Sequence, residues 1–128
     1  MKLSERLTEQ RNVLLAELDR HREDIVIVEG KRDAEALHDM GFTRVMVVNR
    51  GRGLYDFSVD VKAINGDRVV LVLTDFDPEG DEIAKKLETY LRSIGCRTDR
   101  ASRESLRRLF CLNKLTTVQG LRNLKEFV

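Results

Sequence analysis

The stretch VVLVLTDFDPEG, Val69 to Gly80, decides the fold. Val69, Val70, Leu71, Val72 and Leu73 form an unbroken apolar run with three β-branched members. Such a run suits a strand covered on both faces, as in a parallel sheet. Asp75 and Asp77 follow at its carboxyl end, and a spacing of two puts both side chains on one side while the chain stays extended. Asp77 also suits an N-cap, with Pro78 at the first helical position, where a missing N–H costs nothing. Ile83, Ala84, Leu87, Leu91 and Ile94 then recur at helical spacing, and Gly95 supplies the stop. Two carboxylates converging on a strand end repel each other, so a folding argument alone does not put them there. A hard divalent cation resolves the conflict, because Mg²⁺ takes oxygen ligands and is usually held by one or two carboxylates plus substrate phosphate. A second reading stays open at this point: Asp75 exposed and Asp77 a plain cap, since Asp before Pro-x-Gly is ordinary turn chemistry.

Working outward, Ile25–Val28 is another short apolar run, ending in Glu29-Gly30-Lys31-Arg32-Asp33. Ligands of doubly wound sheets collect outside the carboxyl ends of the strands. Two parallel strands here bring Glu29, Asp75 and Asp77 to one edge, where a third acid can ligate a metal or move a proton. Gly30 allows close backbone approach. Lys31 opens a helix over 31–40 with Ala34, Leu37 and Met40 inward, and free N–H groups at its start favour a phosphate. Asp33 lies one turn in, suited to orienting Lys31 or water, or simply to the helix dipole. Asp81 stands in the same relation to the helix after Gly80. A strand at Val45–Val48 empties into Asn49-Arg50-Gly51-Arg52-Gly53, a cationic loop on the same edge. Gly bares backbone N–H groups and Arg binds phosphate bidentately, so Arg50 and Arg52 are candidate phosphate ligands, with a plain strand-to-helix turn as the other reading. The spacing is not that of a P-loop. Leu54, Phe57, Val61 and Ile64 mark the following helix. Residues 3–20 carry a leucine stripe (Leu3, Leu7, Leu14, Leu15, Leu18) and read as an amphipathic helix packed outside the sheet. His21 is expected solvated in the connection that follows. Beyond Gly95, Cys96–Thr98 is a fourth-strand candidate. Ser102 is expected to cap a helix carrying Leu106, Leu109 and Phe110, with Arg103, Arg107 and Arg108 riding on it. Thr117 is expected to cap a last helix with Val118, Leu121, Leu124 and Phe127 on one face.

At 128 residues, 41% hydrophobic and 35% charged, the chain reads as one soluble globular domain with a real core. No apolar run approaches the ~20 residues of a membrane span. Residues 1–24 lack a signal-peptide core, and Cys96 and Cys111 form no metal-type cluster, so a reducing cytoplasm and two small core cysteines are expected. The net charge of +1 does not announce a nucleic-acid binder. Its distribution is uneven: residues 97–128 hold 8 Lys and Arg against 3 Asp and Glu, and residues 1–96 hold 15 against 19. A basic tail beside an acidic site is compatible with gripping a phosphate backbone, as it is with a solvated helix face.

IVIVEGKRDAEAL, 25–37, followed by VLTDFDPEGDEIAKKL, 72–87, resembles a Toprim domain. That domain is shared by topoisomerases, bacterial-type primases, OLD-family nucleases, recombination-repair proteins and the ribonuclease that matures 5S ribosomal RNA. The family pattern is Glu-Gly after the first strand and Asp-x-Asp-x-x-Gly after the third, and both halves stand here in order. The TDFDPEGDEI run is similar in particular to that of type IA topoisomerases and the 5S-maturing ribonuclease. The resemblance covers roughly 25–100. It implies a Rossmann-like α/β fold, about four mainly parallel strands sandwiched by helices, as a core over 25–100 with an extra N-terminal helix within 1–24 and C-terminal helices over 101–128. It also implies Mg²⁺ chemistry, with one or two ions and Mn²⁺ as a substitute. Asp75 and Asp77 are then the metal ligands, Glu29 a ligand or general acid–base, and Lys31, Arg50 and Arg52 the phosphate contacts, with Gly30, Asp33, Gly80 and Asp81 in support.

The larger relatives carry parts this sequence lacks, such as a separate nucleophilic-tyrosine domain or zinc-binding and helicase-binding domains. What remains is a small stand-alone Toprim protein, expected to be a metal-dependent endonuclease-like enzyme favouring RNA over DNA. Three alternatives accompany it: a non-catalytic nucleic-acid adaptor in repair or recombination, a Toprim subunit completed by a partner chain or a second copy, and a plain α/β domain with surface acids.

Overall fold

The Val69–Leu73 run enters the centre of a three-layer molecule. The computed structural model describes residues 2–127, the side chains of residues 50 and 125–127 lying outside the described set. Helix α1 spans Leu3–Asp19, strand β1 Ile25–Val28, helix α2 Lys31–Asp39, strand β2 Val45–Val47, helix α3 Leu54–Asn65, strand β3 Val70–Val72, helix α4 Pro78–Ser93 and helix α5 Arg100–Leu112. A 3₁₀ turn at Arg50–Arg52 precedes α3, and a 3₁₀ run over Val118–Phe127 ends the described chain.

The sheet is parallel in the order β2-β1-β3, with Val26 opposite both Val45 and Leu71. Alternation along the strands divides the core in two. Val26, Val28, Leu71 and Leu73 face Leu14 and Leu18 of α1, Leu37 of α2, Leu106 and Phe110 of α5, and Val118, Leu121 and Leu124. Ile25, Ile27, Val70 and Val72 face Phe57 and Val61 of α3 and Ala84, Leu87 and Leu91 of α4. Burial on both faces is why β1 and β3 read as continuous apolar runs, whereas β2 is only partly covered. From β1 the chain moves outward to β2, then crosses back to β3 on the other side of β1. That reversal puts a topological switch point between β1 and β3, at the strand ends that carry Glu29 and Asp75.

Several expectations are corrected. The fourth strand is a single parallel bridge, Val70 to Thr98, because the chain turns at Asp99 into α5. That helix is capped by Asp99, not Ser102: the Ser102 amide and hydroxyl both donate to the Asp99 carboxylate, at 3.0 and 2.7 Å. The last element is 3₁₀ rather than α, with Thr117 Oγ1 accepting from the Gly120 amide at 3.2 Å; the Phe127 side chain lies outside the described residues. His21 is buried, not solvated, held between Asp24 and Glu17. Cys96 is buried but Cys111 is exposed on α5. Leu3 and Ile64 are solvent-facing, so the apolar stripes of α1 and α3 reach the core only in part. No described helix is long and apolar enough to cross a membrane.

Candidate functional site

Strand β3 delivers its acids through a tight turn. Thr74, fully buried, donates its hydroxyl to the Gly80 carbonyl at 2.7 Å, and Asp77 caps α4 by accepting from the Gly80 amide at 2.7 Å. Gly80 is packed so closely that a Cβ there would stand 1.9 Å from the Asp75 carbonyl oxygen. The glycine is required by space, not by backbone angle. Across the switch point, Glu29 accepts from the Asp75 amide at 3.3 Å, tying the end of β1 to the end of β3.

Asp75 is the electrostatic focus. Burial first, then the charges of Glu29, Asp33 and Asp77, push its carboxyl up to about 7. Its Oδ1 is buried without a hydrogen-bond partner. An unsatisfied oxygen among three further acids suits a cation and is hostile to an anion. The donor set is all carboxylate oxygen, which suits a hard divalent ion such as Mg²⁺ or Mn²⁺. Among the described residues no three His, Cys, Asp or Glu side chains are already gathered into a metal cage; beside the neighbouring charges, a side-chain hydrogen bond to Glu29 also favours the protonated form of Asp75.

The supporting residues divide. Asp33, 6% exposed, accepts from the Gly30 amide at 3.0 Å and from the Gln119 amide at 2.8 Å, so it caps α2 and ties the C-terminal run to the site. Gly30 has extended backbone, and a Cβ there would make only ordinary contact with Asp33. Lys31 is exposed at the start of α2. Arg52 is engaged bidentately by Asp60, at 2.6 and 3.0 Å, which raises the guanidinium pKa and lowers that of Asp60. A phosphate must compete with that carboxylate. The Arg50 side chain lies outside the described residues. Asp81 does not turn to the acids: Arg103 and Arg107 hold its carboxylate, keeping its pKa low despite partial burial.

Sequence reasoning missed Arg103. It is 3% exposed, and its Nη1 donates to the carbonyls of Val72 and Thr74, both at 3.0 Å. Its Nη2 donates to the Asp75 carbonyl at 3.4 Å and to Asp81 at 3.0 Å. The one sequence cue is that Arg103, Leu106 and Phe110 recur at one helical spacing, which puts the Arg on the inward face without naming its partners. A groove of about 620 Å³ between α1, α2 and the C-terminal run, lined by Leu15, Met40 and Leu124 among others, is lined by none of Glu29, Asp33, Asp75 and Asp77.

A doubly wound parallel sheet whose switch point is closed by carboxylates defines an acid-lined α/β protein suited to a divalent cation. The chain belongs to the Toprim domain family, whose model matches residues 24–106. It is 38% identical over 96 residues to a UPF0292 protein of Thermococcus gammatolerans, covering 74% of this chain and 69% of that one. It is 37% identical over 90 residues to a UPF0292 protein of Thermococcus onnurineus, the match spanning 70% of this chain and 65% of that one. A UPF0292 protein of Methanosarcina barkeri is 34% identical over 110 residues, 84% of this chain and 75% of that one. A solved structure of a putative protein from Aquifex aeolicus superimposes with a TM-score of 0.62 at 27% identity, covering 93% of this chain and 97% of that one. Membership carries a coarse assignment, metal-binding and nucleic-acid-related function.

Proposed function

We propose that this Toprim protein is a divalent-metal-dependent phosphodiesterase acting on nucleic acid, an endonuclease of the RNA-processing kind. The observation that carries the reading is Asp75: a carboxylate with a buried, unpartnered oxygen, pressed by Glu29, Asp33 and Asp77 at the switch point. Asp75 and Asp77 would hold Mg²⁺, with Glu29 as a third ligand or as the proton carrier. When bound, the ion supplies charge stabilisation for the phosphoryl oxygens and a more acidic water.

The remaining work falls to the chain. Asp77 anchors α4 through Gly80, so the carboxylate is aimed by the helix it caps. Glu29 would take the proton of an attacking water, or return one to the leaving oxygen, as the new P–O bond forms and the old one breaks. Lys31, exposed at the start of α2, would offer a cation to a neighbouring phosphate.

The test is a Mg²⁺-dependent cleavage assay on structured RNA and on single- and double-stranded DNA, with Glu29→Gln and Asp75→Asn proteins shown to be folded. Cleavage of RNA by wild type, lost by at least a hundredfold in both variants, is the expected result. Binding without cleavage, unchanged in both variants, would overturn the catalytic reading in favour of an adaptor or of a subunit completed by a partner.

A further inference from the structure

We propose that Arg103 is a positioning residue of the acidic site, its guanidinium fixing the carbonyls of Val72, Thr74 and Asp75 so that the Asp75 carboxylate is aimed at the cation. The inference rests on the metal reading above and extends it to α5, which carries no acid of that site.

The geometry is that of a clamp. Arg103 spans the last residues of β3 and the start of the acidic turn, reaching three carbonyls within four consecutive residues. The Asp75 carbonyl is caught between Arg103 Nη2 and Gly80, where no room exists even for a methyl group. Phe76, between the two acids, is fixed separately. Arg103 and Arg107 lie over its ring, at 4.7 and 5.4 Å from the centroid, and the Phe110 ring packs edge-on at 4.8 Å. The Phe76 amide donates to the Thr116 carbonyl at 2.7 Å. The peptide units on both sides of the Asp75 side chain are thus held by α5 and the segment behind it.

Asp81 makes the clamp tolerable. A buried guanidinium without a carboxylate would be costly, and Asp81 supplies the counter-charge while Arg107 shares it. Lysine cannot reproduce the arrangement, because one ammonium cannot span two forks of a planar guanidinium.

The test is Mn²⁺ binding by calorimetry, with kcat and KM on a cleaved RNA, for wild type, Arg103→Lys, Asp81→Asn and Leu106→Val. Leu106→Val is a core control on the same helix face. The expected result is at least a fivefold loss of Mn²⁺ affinity in Arg103→Lys, a smaller loss in Asp81→Asn, and a fall in kcat with KM little changed. Leu106→Val should lower Tm and leave Mn²⁺ affinity as in wild type. If Arg103→Lys does not fold, Asp81→Asn decides alone. Wild-type Mn²⁺ affinity in the folded clamp variants, or an equal loss in Leu106→Val, overturns the proposal while leaving the metal reading intact. A wild-type protein that binds no Mn²⁺ overturns both.

Discussion

The Asp75 carboxyl, pushed up to about 7, is a group whose folded pKa lies above its ordinary value of 3.8. The native protein therefore retains a proton there that the unfolded chain has already released. The sign follows: the stability tied to this group is fully present below about pH 4 and is lost as pH rises through about 7. Asp75→Asn removes the penalty, so the metal-free variant should have a higher Tm than wild type at pH 8, by a few degrees, and an unchanged one at pH 4. Thermal melts at the two pH values check this. Gly80 fails in the opposite sense. Gly80→Ala drives a methyl group into the Asp75 carbonyl, and urea unfolding should show a loss of at least about 1–3 kcal/mol.

Helix α5 shows what a sequence does and does not reveal about an element. Removing its cap by Asp99→Ala should cost about 1 kcal/mol in urea unfolding, because two donors of Ser102 lose their acceptor. Ser102 looked like the cap because Ser is a good one; it is instead the residue being capped. Strands β1 and β3 were legible because burial on both faces leaves no polar alternation to confuse them. The acid motifs stood out because capping explains Asp77 but not a second carboxylate, Asp75, beside it at the same strand end. Arg103 was not legible, because an arginine is read as outward unless its partners are known, and those partners are backbone carbonyls 28 to 31 positions away. The Arg52 pairing was hidden for a related reason: the Asp60 that engages it lies nearly two turns into α3, invisible to a loop-by-loop reading. The fourth strand shrank to a bridge because Asp99 begins a helix as soon as Thr98 has paired.

For the whole molecule, the central fact is topological. The chain reverses between β1 and β3, and the two acid motifs, far apart in sequence, meet at one sheet edge. The core beneath it is shared by both faces of the sheet, so Leu71→Ala should destabilise by about 2–5 kcal/mol in urea unfolding, with no residue of the site touched. The claim that these acids serve a cation is tested most directly by titrating wild type and Asp75→Asn with Mn²⁺ from pH 5 to pH 8. Protons and metal compete for the same carboxyl, so wild-type affinity should fall by up to about tenfold per pH unit below about 7, and Asp75→Asn should bind weakly at every pH. Affinity that is independent of pH, or equal in the two proteins, would contradict the account.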